Sequence, residues 1–475
     1  SDIELKLNVG LAPPAYSAPS KGDLADSESG KGKKFRNAQG LNWFITGLFV
    51  VGDMAGGGLV ALPTAMIQSG FYAGLVITSI MTCVVTFSAY CLGQNWVIMQ
   101  KLWPEYRDHC RKPYAEMGYR ALGPKVKNAV SVCIDVTQFG IAVVYLLLAS
   151  KNIHDSIKAF SSYNLDFCYV IMIVAVCLLP ITFLKSPQDF WWAVVLAMIT
   201  TSVAVVLIIA GSAIDYGTCH GYNEMPEFKI TNYFLALGTF LFAYGGHSAF
   251  PTIQHDMKKP YEFTRSAIMA FISAPCGSSK PINMLITIHC ILTLTIVFNP
   301  LNQEVEELFK VPQHFSMKRV FIRTGMMVAV VFVAESLPNF GPLLDLMGGS
   351  TVTLTSIVFP CLFYLFILTT EKKADEEKNG NWEFPTFREV YEKTPRLIFI
   401  ACISAMIFGV FGGGAATYSA IQELSTTQFT MPCYVKPFIS QSNAQDSGHI
   451  ACCGPHSNIT WHSTNSSCSP YKDFY

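Results

Sequence analysis

The chain has 475 residues, of which 51% are hydrophobic and 14% are charged, and its formal net charge is zero. A typical soluble protein carries about 25% charged residues, so this composition excludes an ordinary soluble globular protein. The neutral balance excludes the strongly basic surface of a nucleic-acid-binding protein. We predict an all-α membrane protein that crosses the bilayer many times.

Three regions follow along the chain. Residues 1–39 are rich in Ser, Gly, Pro and charge, and we predict a disordered cytoplasmic tail there without the apolar run of a signal peptide. Residues 40–430 are the predicted transmembrane domain, and residues 431–475 are a Cys-containing tail on the extracellular or lumenal side. Apolar runs predict ten spans and one shorter fragment, at roughly 41–66, 71–99, 129–150, 168–184, 190–214, 233–253, 267–275, 282–298, 324–337, 351–369 and 397–422.

The first span has a polar, glycine-rich centre within the stretch GLFVVGDMAGGGLVALP at 47–63. Asp53 is ionisable, and the consecutive Gly56, Gly57 and Gly58 cost about 3 kcal/mol of helix stability, at about 1 kcal/mol each. Unwound backbone in a membrane is tolerated only where it is buried in protein or lines a cavity. The stretch therefore predicts a discontinuous transporter helix. A glycine-rich packing seam between helices is the structural alternative.

The sixth span repeats this pattern in GTFLFAYGGHSAFP at 238–251, where a polar Gly-Gly-His-Ser segment interrupts an apolar run. Two interrupted spans in corresponding places of two halves point to the binding site of a secondary transporter. His247 either contributes to this site or fills the hinge. The predicted substrate-binding residues are Gly56, Gly57, Gly58, Tyr244, Gly245, Gly246 and His247.

Ionisable residues within the spans are candidates for coupling transport to an ion, because intramembrane acids commonly line ion or proton paths. Asp53 and Asp135 are the two candidates for this role. Their structural alternatives are helix capping for Asp53 and interhelical hydrogen bonding for Asp135. His289 is expected to be a satisfied core histidine, whereas Glu335 and Asp345 are expected to be solvated at an outer boundary.

The charge distribution sets the predicted orientation. Most of the 33 Lys and Arg residues fall in alternate loops, which places the N-terminus in the cytoplasm and the C-terminus outside. The C-terminal tail carries glycosylation sequons at Asn458 and Asn465, which matter only on that outer side. Cys168 and Cys219 fall in outer loops and are candidates for a disulfide, although connectivity cannot be deduced from sequence. Cysteines within the spans are expected to be small apolar packing residues.

The fragment at 267–275 is too short for a span. Nine residues make roughly 13 Å of helix, at about 1.5 Å per residue, against a hydrocarbon core of about 30 Å. The loops that follow nevertheless alternate between rich and poor in Lys and Arg only if the chain crosses the membrane at this fragment. Either the crossing is completed irregularly, or the sequence lacks a stretch that a relative would have.

Several stretches resemble one known family. They are GGGLVALPTAM in the first span, PYAEMGYRALGP in the next inner loop, VTQFGIAVVYLLLASKNI in the third span, GTFLFAYGGHSAFPTIQHDMKKP in the sixth, and LPNFGPLLDLMGGS followed by FPCLFYLFIL. With these the chain resembles the amino acid/auxin permease family, which includes proton-coupled and vesicular inhibitory amino-acid transporters. The resemblance implies eleven helices in a leucine-transporter-like arrangement. That arrangement has two inverted five-helix repeats, broken first and sixth helices, and one further helix.

Two departures from the family pattern are visible. Phe49 stands where some members have an essential histidine, so Asp53 becomes the local candidate for proton coupling. The family's full seventh helix and following loop are shortened here, and roughly 30 residues are absent, which is about a span plus a loop. The seventh helix is therefore predicted to be truncated.

We predict a secondary active transporter of small amino acids that is coupled to protons, with Na⁺ as the other possible ion. The alternatives are a non-transporting amino-acid sensor or an inactive splice form on the same fold. The sequence has no phosphate loop, metal-spaced His/Cys cluster or nucleophile elbow, so no enzyme activity, cofactor or metal is predicted. The expected partners are amino-acid substrate, coupling ion and membrane lipid, without nucleic acid. The expected location is the plasma membrane or a vesicular or lysosomal membrane.

Overall fold

The fold is helical throughout the part of the chain that the structure describes. This is a computed structural model, and the residues described are 35–37, 40–54, 57–107, 110, 112–160, 165–183, parts of 196–213, 229–272, 282–311, 316–337, 339–376, 384–426 and 432–435. Within these ranges there is no strand, and one isolated bridge joins Leu41 and Met257. The predicted all-α class is confirmed.

The helices are numbered here in chain order. They are α1 Trp43–Met54, α2 Gly57–Ser69, α3 Phe71–Leu102, α4 Pro113–Leu122, α5 Pro124–Phe160, α6 Phe167–Thr182, α7 Ile230–Ala243, α8 Phe250–His255, α9 Phe263–Ile272, α10 Ile282–Leu308, α11 Met317–Ser336, α12 Phe340–Glu376, α13 Phe387–Lys393 and α14 Arg396–Thr426. Further short helical pieces occur among the described residues of 196–213.

Several helices have the length and composition of membrane spans. Among the described residues, five helices are long and apolar enough to cross a bilayer, at Phe71–Leu102, Pro124–Ile157, Leu285–Leu308, Phe340–Glu376 and Arg396–Ser425. The helices α6 and α7 are shorter but also apolar. A stretch of about 20 apolar residues spans the hydrocarbon core, so this part of the chain alone has the character of a polytopic membrane protein.

The predicted interruption of the sixth span is present, because α7 ends at Ala243 and α8 begins at Phe250. In the first span, α1 is described up to Met54 and α2 from Gly57, and the two residues between them lie outside the described residues. The sixth helix is therefore discontinuous, as the sequence predicts, and the break in the first helix stays a prediction.

The described part of the seventh segment is a short helix. Its ten residues, Phe263–Ile272, begin before the predicted 267–275 fragment and reach only about 15 Å at about 1.5 Å per residue. The Ser266 hydroxyl donates to the backbone carbonyl of Trp43, at 2.6 Å, so this helix packs against α1. Residues 273–281, where the missing stretch is predicted, lie outside the described residues.

The tenth span contains two wide turns. Its backbone is α-helical over Phe340–Met347, forms π-helical turns over Gly348–Val352 and Leu354–Val358, and is α-helical again over Phe359–Glu376. Turns of the π type are rare and occur frequently at functional sites. These turns lie against α7 and α14, beside the break of the sixth span.

Candidate functional site

The start of α2 touches the end of α7, where the sixth span is interrupted. A Cβ atom added to Gly58, in the first turn of α2, would lie 2.3 Å from the Cα of Ala243, the last residue of α7. No side chain fits in that space, so the glycine allows the two backbones to meet. This contact brings together the two halves of the predicted substrate site.

The break in the sixth span is held by turn-type hydrogen bonds and by one contact to α3. The amide of Gly245 donates to the carbonyl of Phe242, at 3.0 Å. The Thr82 hydroxyl donates to the Tyr244 hydroxyl, at 3.1 Å. A Cβ on Gly245 would lie 2.1 Å from Cγ1 of Val352, in the π-helical part of α12. The break of the sixth span is thus packed closely between α3 and α12.

His247 is buried within the break of the sixth span. Its side chain has no exposed surface, and its ring packs on Phe250 at a tilt of 34°, with 4.6 Å between ring centroids. Its Nε2 donates to the backbone carbonyl of Val85 in α3, at 3.3 Å. Both predicted roles of His247, in the substrate site or as a hinge-filling residue, stay predictions.

The structure describes only part of the predicted break in the first span. Gly57 begins α2, whereas Gly56 lies outside the described residues. The backbone of Asp53 belongs to α1, but its side chain is outside the described part of the chain. The role of Asp53 in ion coupling, and that of Gly56 in substrate binding, therefore stay predictions.

Asp345 is a buried acid that the sequence places incorrectly. It is 5% exposed, and its Oδ1 accepts a hydrogen bond from the Thr239 hydroxyl. The neighbouring Gly238 lets α7 approach so closely that a Cβ there would lie 2.8 Å from the Asp345 carbonyl oxygen. The expectation that Asp345 is solvated is wrong, because α12 begins at Phe340 and this turn packs on α7. The sequence signal that indicates burial of Asp345 is its apolar surroundings in LLDLM, where leucines stand on both sides of the acid.

The wide turns of α12 are held open by side chains from other helices. The Ser88 hydroxyl of α3 donates to the carbonyl of Ser356, and the Tyr114 hydroxyl of α4 donates to the carbonyl of Thr355. Buried carbonyls require partners, and here the partners come from outside the helix. The π turns are therefore part of the packed core beside the second break.

Asp135 lies against a second acid that the sequence analysis missed. The carboxyl group of Glu304 in α10 lies near that of Asp135 in α5, close enough for the two charges to interact. Lys112 forms an ion pair with Glu304, with 3.1 Å between Nζ and Oε2, and the Ser131 hydroxyl lies 3.5 Å from the same oxygen. The predicted eighth span ends at 298, whereas α10 continues to Leu308, and this extension is what brings Glu304 to Asp135.

His289 behaves as the sequence predicts. It is 1% exposed, and its Nδ1 donates to the carbonyl of Ala197, at 3.1 Å. Its Nε2 then accepts from the Thr293 hydroxyl, at 3.1 Å. Both ring nitrogens are engaged, so the expectation of a satisfied core histidine is confirmed.

The disulfide differs from the predicted pair. Cys168 is bonded to Cys433, not to Cys219, which lies outside the described residues. The segment that carries Cys433 also covers Glu335, whose Oε2 accepts from the Cys433 amide at 3.2 Å. Glu335 is only 4% exposed, so its expected solvation is wrong for this reason. The glycosylation sites Asn458 and Asn465 lie outside the described residues and stay predictions.

An apolar helix that is interrupted in its middle, and that another apolar helix contacts at the interruption, is typical of secondary transporters, and α7, α8 and α2 have this arrangement. A family model described as "transmembrane amino acid transporter protein" matches residues 39–276 and 273–409. The chain belongs to this family of transmembrane amino acid transporters. Since the family is one of transporters, it supports the expectation of a non-enzymatic role.

Individual relatives are distant. The amino acid transporter AVT1D of Arabidopsis thaliana is 25% identical over 414 residues, covering 78% of this chain and 68% of that protein. The auxin transporter-like protein 2 of Arabidopsis thaliana is 24% identical over 427 residues, covering 80% of this chain and 84% of that protein. Among solved structures, a manganese transporter of Eremococcus coleocola aligns over 81% of this chain and 86% of that chain, with 12% identity and a TM-score of 0.41.

Proposed function

We propose that this protein is a secondary active transporter that moves small amino acids across a membrane together with protons. The observation that carries the proposal is the contact between Gly58 and Ala243, which joins the first span to the break of the sixth. Family membership supports amino acids as the substrate class.

The break of the first span would bind the substrate carboxylate. Gly57 and Gly58 lie in the first turn of α2, and the first amides of a helix have no partner within the helix. The helix dipole adds positive potential at the same end, which favours an anion. Backbone carbonyls of Tyr244, Gly245 and Gly246 would bind the ammonium group from the opposite side.

The walls of the site favour small substrates. Gly58 leaves no room for a side chain beside Ala243, and Gly245 leaves none beside Val352. A pocket bounded by backbone and short side chains rejects bulky ligands by overlap, because packed interiors yield little. We infer that small amino acids are preferred over aromatic ones.

The carboxyl pair of Asp135 and Glu304 would carry the coupled proton. Two carboxylates that lie near each other repel when both are charged, so such a pair readily holds one shared proton. Lys112 pairs with Glu304 at 3.1 Å and can stabilise the state that has lost this proton. Asp53, beside the first break, remains a second coupling candidate.

The proposed orientation has a cytoplasmic N-terminus and an outer C-terminus. The disulfide supports it, because Cys168 and Cys433 both belong to segments that the charge pattern places outside. Disulfides persist in oxidising compartments and are rare in the cytosol. With that orientation, the sequons at Asn458 and Asn465 would be accessible to glycosylation.

The test is uptake by purified protein in liposomes. A panel of labelled amino acids is offered while the pH gradient and the Na⁺ gradient are imposed separately. We expect an acidic exterior to drive accumulation of Gly, Ala or other small amino acids, with no added effect of Na⁺. Accumulation driven by Na⁺ alone would contradict proton coupling, and specific binding without any uptake would identify a sensor.

A further inference from the structure

Three buried cysteines from three different helices meet at one point in the core. They are Cys91 in α3, Cys361 in α12 and Cys402 in α14, and each has no exposed surface. Their Sγ atoms all lie within 4.8 Å of one another, and none of the three belongs to a disulfide. The sequence gives no sign of this cluster, because its members are far apart along the chain.

The spacing of the three sulfur atoms fits a single metal ion. An ion at about 2.3 Å from each of three sulfur atoms, a typical metal–sulfur distance, requires sulfur atoms about 4.0 Å apart. Thiols within 4.8 Å of one another reach that geometry with side-chain shifts of less than 1 Å. Packing of three small apolar residues does not by itself require the sulfur atoms to converge.

The three sulfur ligands determine which metal ion the site favours. Sulfur ligands are soft and favour Cu(I), Zn(II) or iron–sulfur clusters. Zn(II) takes four ligands, whereas the described residues offer three at this point. Iron–sulfur clusters are also typically held by four cysteines, so Cu(I) is the ion that a site of three sulfur ligands favours.

We propose that Cys91, Cys361 and Cys402 form a buried Cu(I) site that ties α3 to α12 and α14. On binding, the three thiols lose their protons to solvent, because the thiolate is the form of cysteine that coordinates a metal ion. The helix α12 carries the π turns next to the second break, so the metal fixes α12 relative to α3. Binding of the ion stabilises the folded state, since the unfolded chain does not hold the three sulfur atoms together.

The experiment uses the full chain, purified in detergent under reducing conditions. Cu(I) is titrated against a chromophoric Cu(I) chelator such as bicinchoninate, with wild type and the variants C361S and C402S. We expect one Cu(I) per chain for wild type and a loss of affinity of at least about tenfold for each variant, because a hydroxyl is a poor ligand for Cu(I). The matched control is C290S, since Cys290 in α10 is free and equally buried but lies outside the cluster.

A second measurement does not depend on how well the variants fold. X-ray absorption of the copper-loaded wild type should show a first shell made only of sulfur atoms. The absence of stoichiometric binding, a shell of oxygen or nitrogen atoms, or an equal loss of affinity in C290S would each overturn the proposal. Unchanged affinity in both C361S and C402S would also overturn it.

Discussion

Thr239 donates a hydrogen bond to the carboxylate of Asp345, and this bond crosses the contact between the first half of the sixth span and the tenth span. Thr239 is 5% exposed and Asp345 is 5% exposed, so solvent does not supply a replacement. The bond lies about one helical turn from the point where α7 ends. It therefore fixes the position of the sixth span's break relative to α12.

Removal of the donor should destabilise the protein. In Thr239→Val the shape is kept but the carboxylate loses its partner, and an unsatisfied buried group costs about 1–3 kcal/mol. Thr239→Ser keeps a hydroxyl and serves as the control. We expect the unfolding temperature in detergent to fall for the Val variant and to change much less for the Ser variant. Equal unfolding temperatures for the Val and Ser variants would contradict this role of the hydrogen bond.

A methyl group at the meeting point of the broken spans should damage the site. Gly58→Ala places a Cβ 2.3 Å from the Cα of Ala243, and overpacking of this kind costs about 1–3 kcal/mol. Gly414→Ala is the control, because a Cβ there meets nothing within 4 Å. Both positions are helical, so both substitutions gain the same helix propensity. We expect loss of substrate binding only in Gly58→Ala, measured by scintillation proximity or calorimetry.

Neutralisation of the carboxyl pair should separate coupling from transport. In Asp135→Asn and in Glu304→Gln the remaining carboxyl group loses the neighbouring acid that favours its protonated form, so a pH gradient should no longer drive accumulation, whereas exchange of substrate across the membrane persists. Glu392→Gln is the control, since Glu392 is an exposed residue paired with Arg388. Tracer uptake and counterflow in liposomes measure the two activities. If both activities fall together, Asp135 has the structural role instead.

The disulfide assignment predicts a specific pattern of stabilities. Cys168→Ala and Cys433→Ala should each lower the unfolding temperature, and the double variant should be no worse than either single variant. Reductant should destabilise wild type but leave Cys433→Ala unchanged, because the bond is already absent. Cys219→Ala is the comparison, and destabilisation by this variant equal to that of Cys433→Ala would favour the pairing with Cys219. Mass spectrometry of unreduced peptides identifies the bridge directly.

The short helix α13 should unfold locally at acid pH. Glu389 accepts from Lys373 at 2.7 Å and from the Thr386 amide at 2.7 Å, completing a capping box. The hydrogen bond from Lys373, followed by that from Thr386, lowers the pKa of Glu389 from 4.5 to about 2. A lowered pKa means that the stabilisation is complete above about pH 4.5 and is lost as the pH falls towards 2.

Hydrogen exchange of the α13 amides measures this effect. Protection in wild type should decrease between pH 4.5 and pH 2 after correction for the intrinsic exchange rate. Glu389→Gln removes the ionisable group, so its α13 protection should be lower at neutral pH and nearly independent of pH. A pH dependence that persists in Glu389→Gln would assign the effect to another group.

Sequence reasoning located several spans and the break of the sixth span because their signals are local. Apolar runs and the glycine pair Gly245–Gly246 appear in short windows of sequence. The errors come from the ends of spans. The tenth span is predicted at 351–369, but α12 begins at Phe340, and its early turns carry Asp345, which accepts a hydrogen bond from Thr239 of α7. A hydropathy window scores such a group as if it faced water.

The contacts that join distant segments could not be predicted in this way. Asp135 was chosen for its intramembrane charge, but its partner Glu304 is 169 positions further along the sequence. The same is true of the three cysteines of the proposed metal site, which lie on three helices. For Cys168, the choice between Cys219 and Cys433 depends on how the last segment folds back over α11, and one sequence contains no information about that path.

The Cys168–Cys433 bond also orders the events of biosynthesis. Its two cysteines are 265 positions apart, and the second follows α14, so the bond can form only after α6 to α14 have been synthesised. The loop that the disulfide closes contains the sixth span with its break, whereas the first span lies N-terminal to Cys168 and outside this loop. A chain that stops before residue 433 therefore stays open. The disulfide is therefore present only in molecules whose synthesis has continued past α14. In shorter chains Cys168 keeps a free thiol, and a quality-control system that recognises free thiols would distinguish them from finished chains.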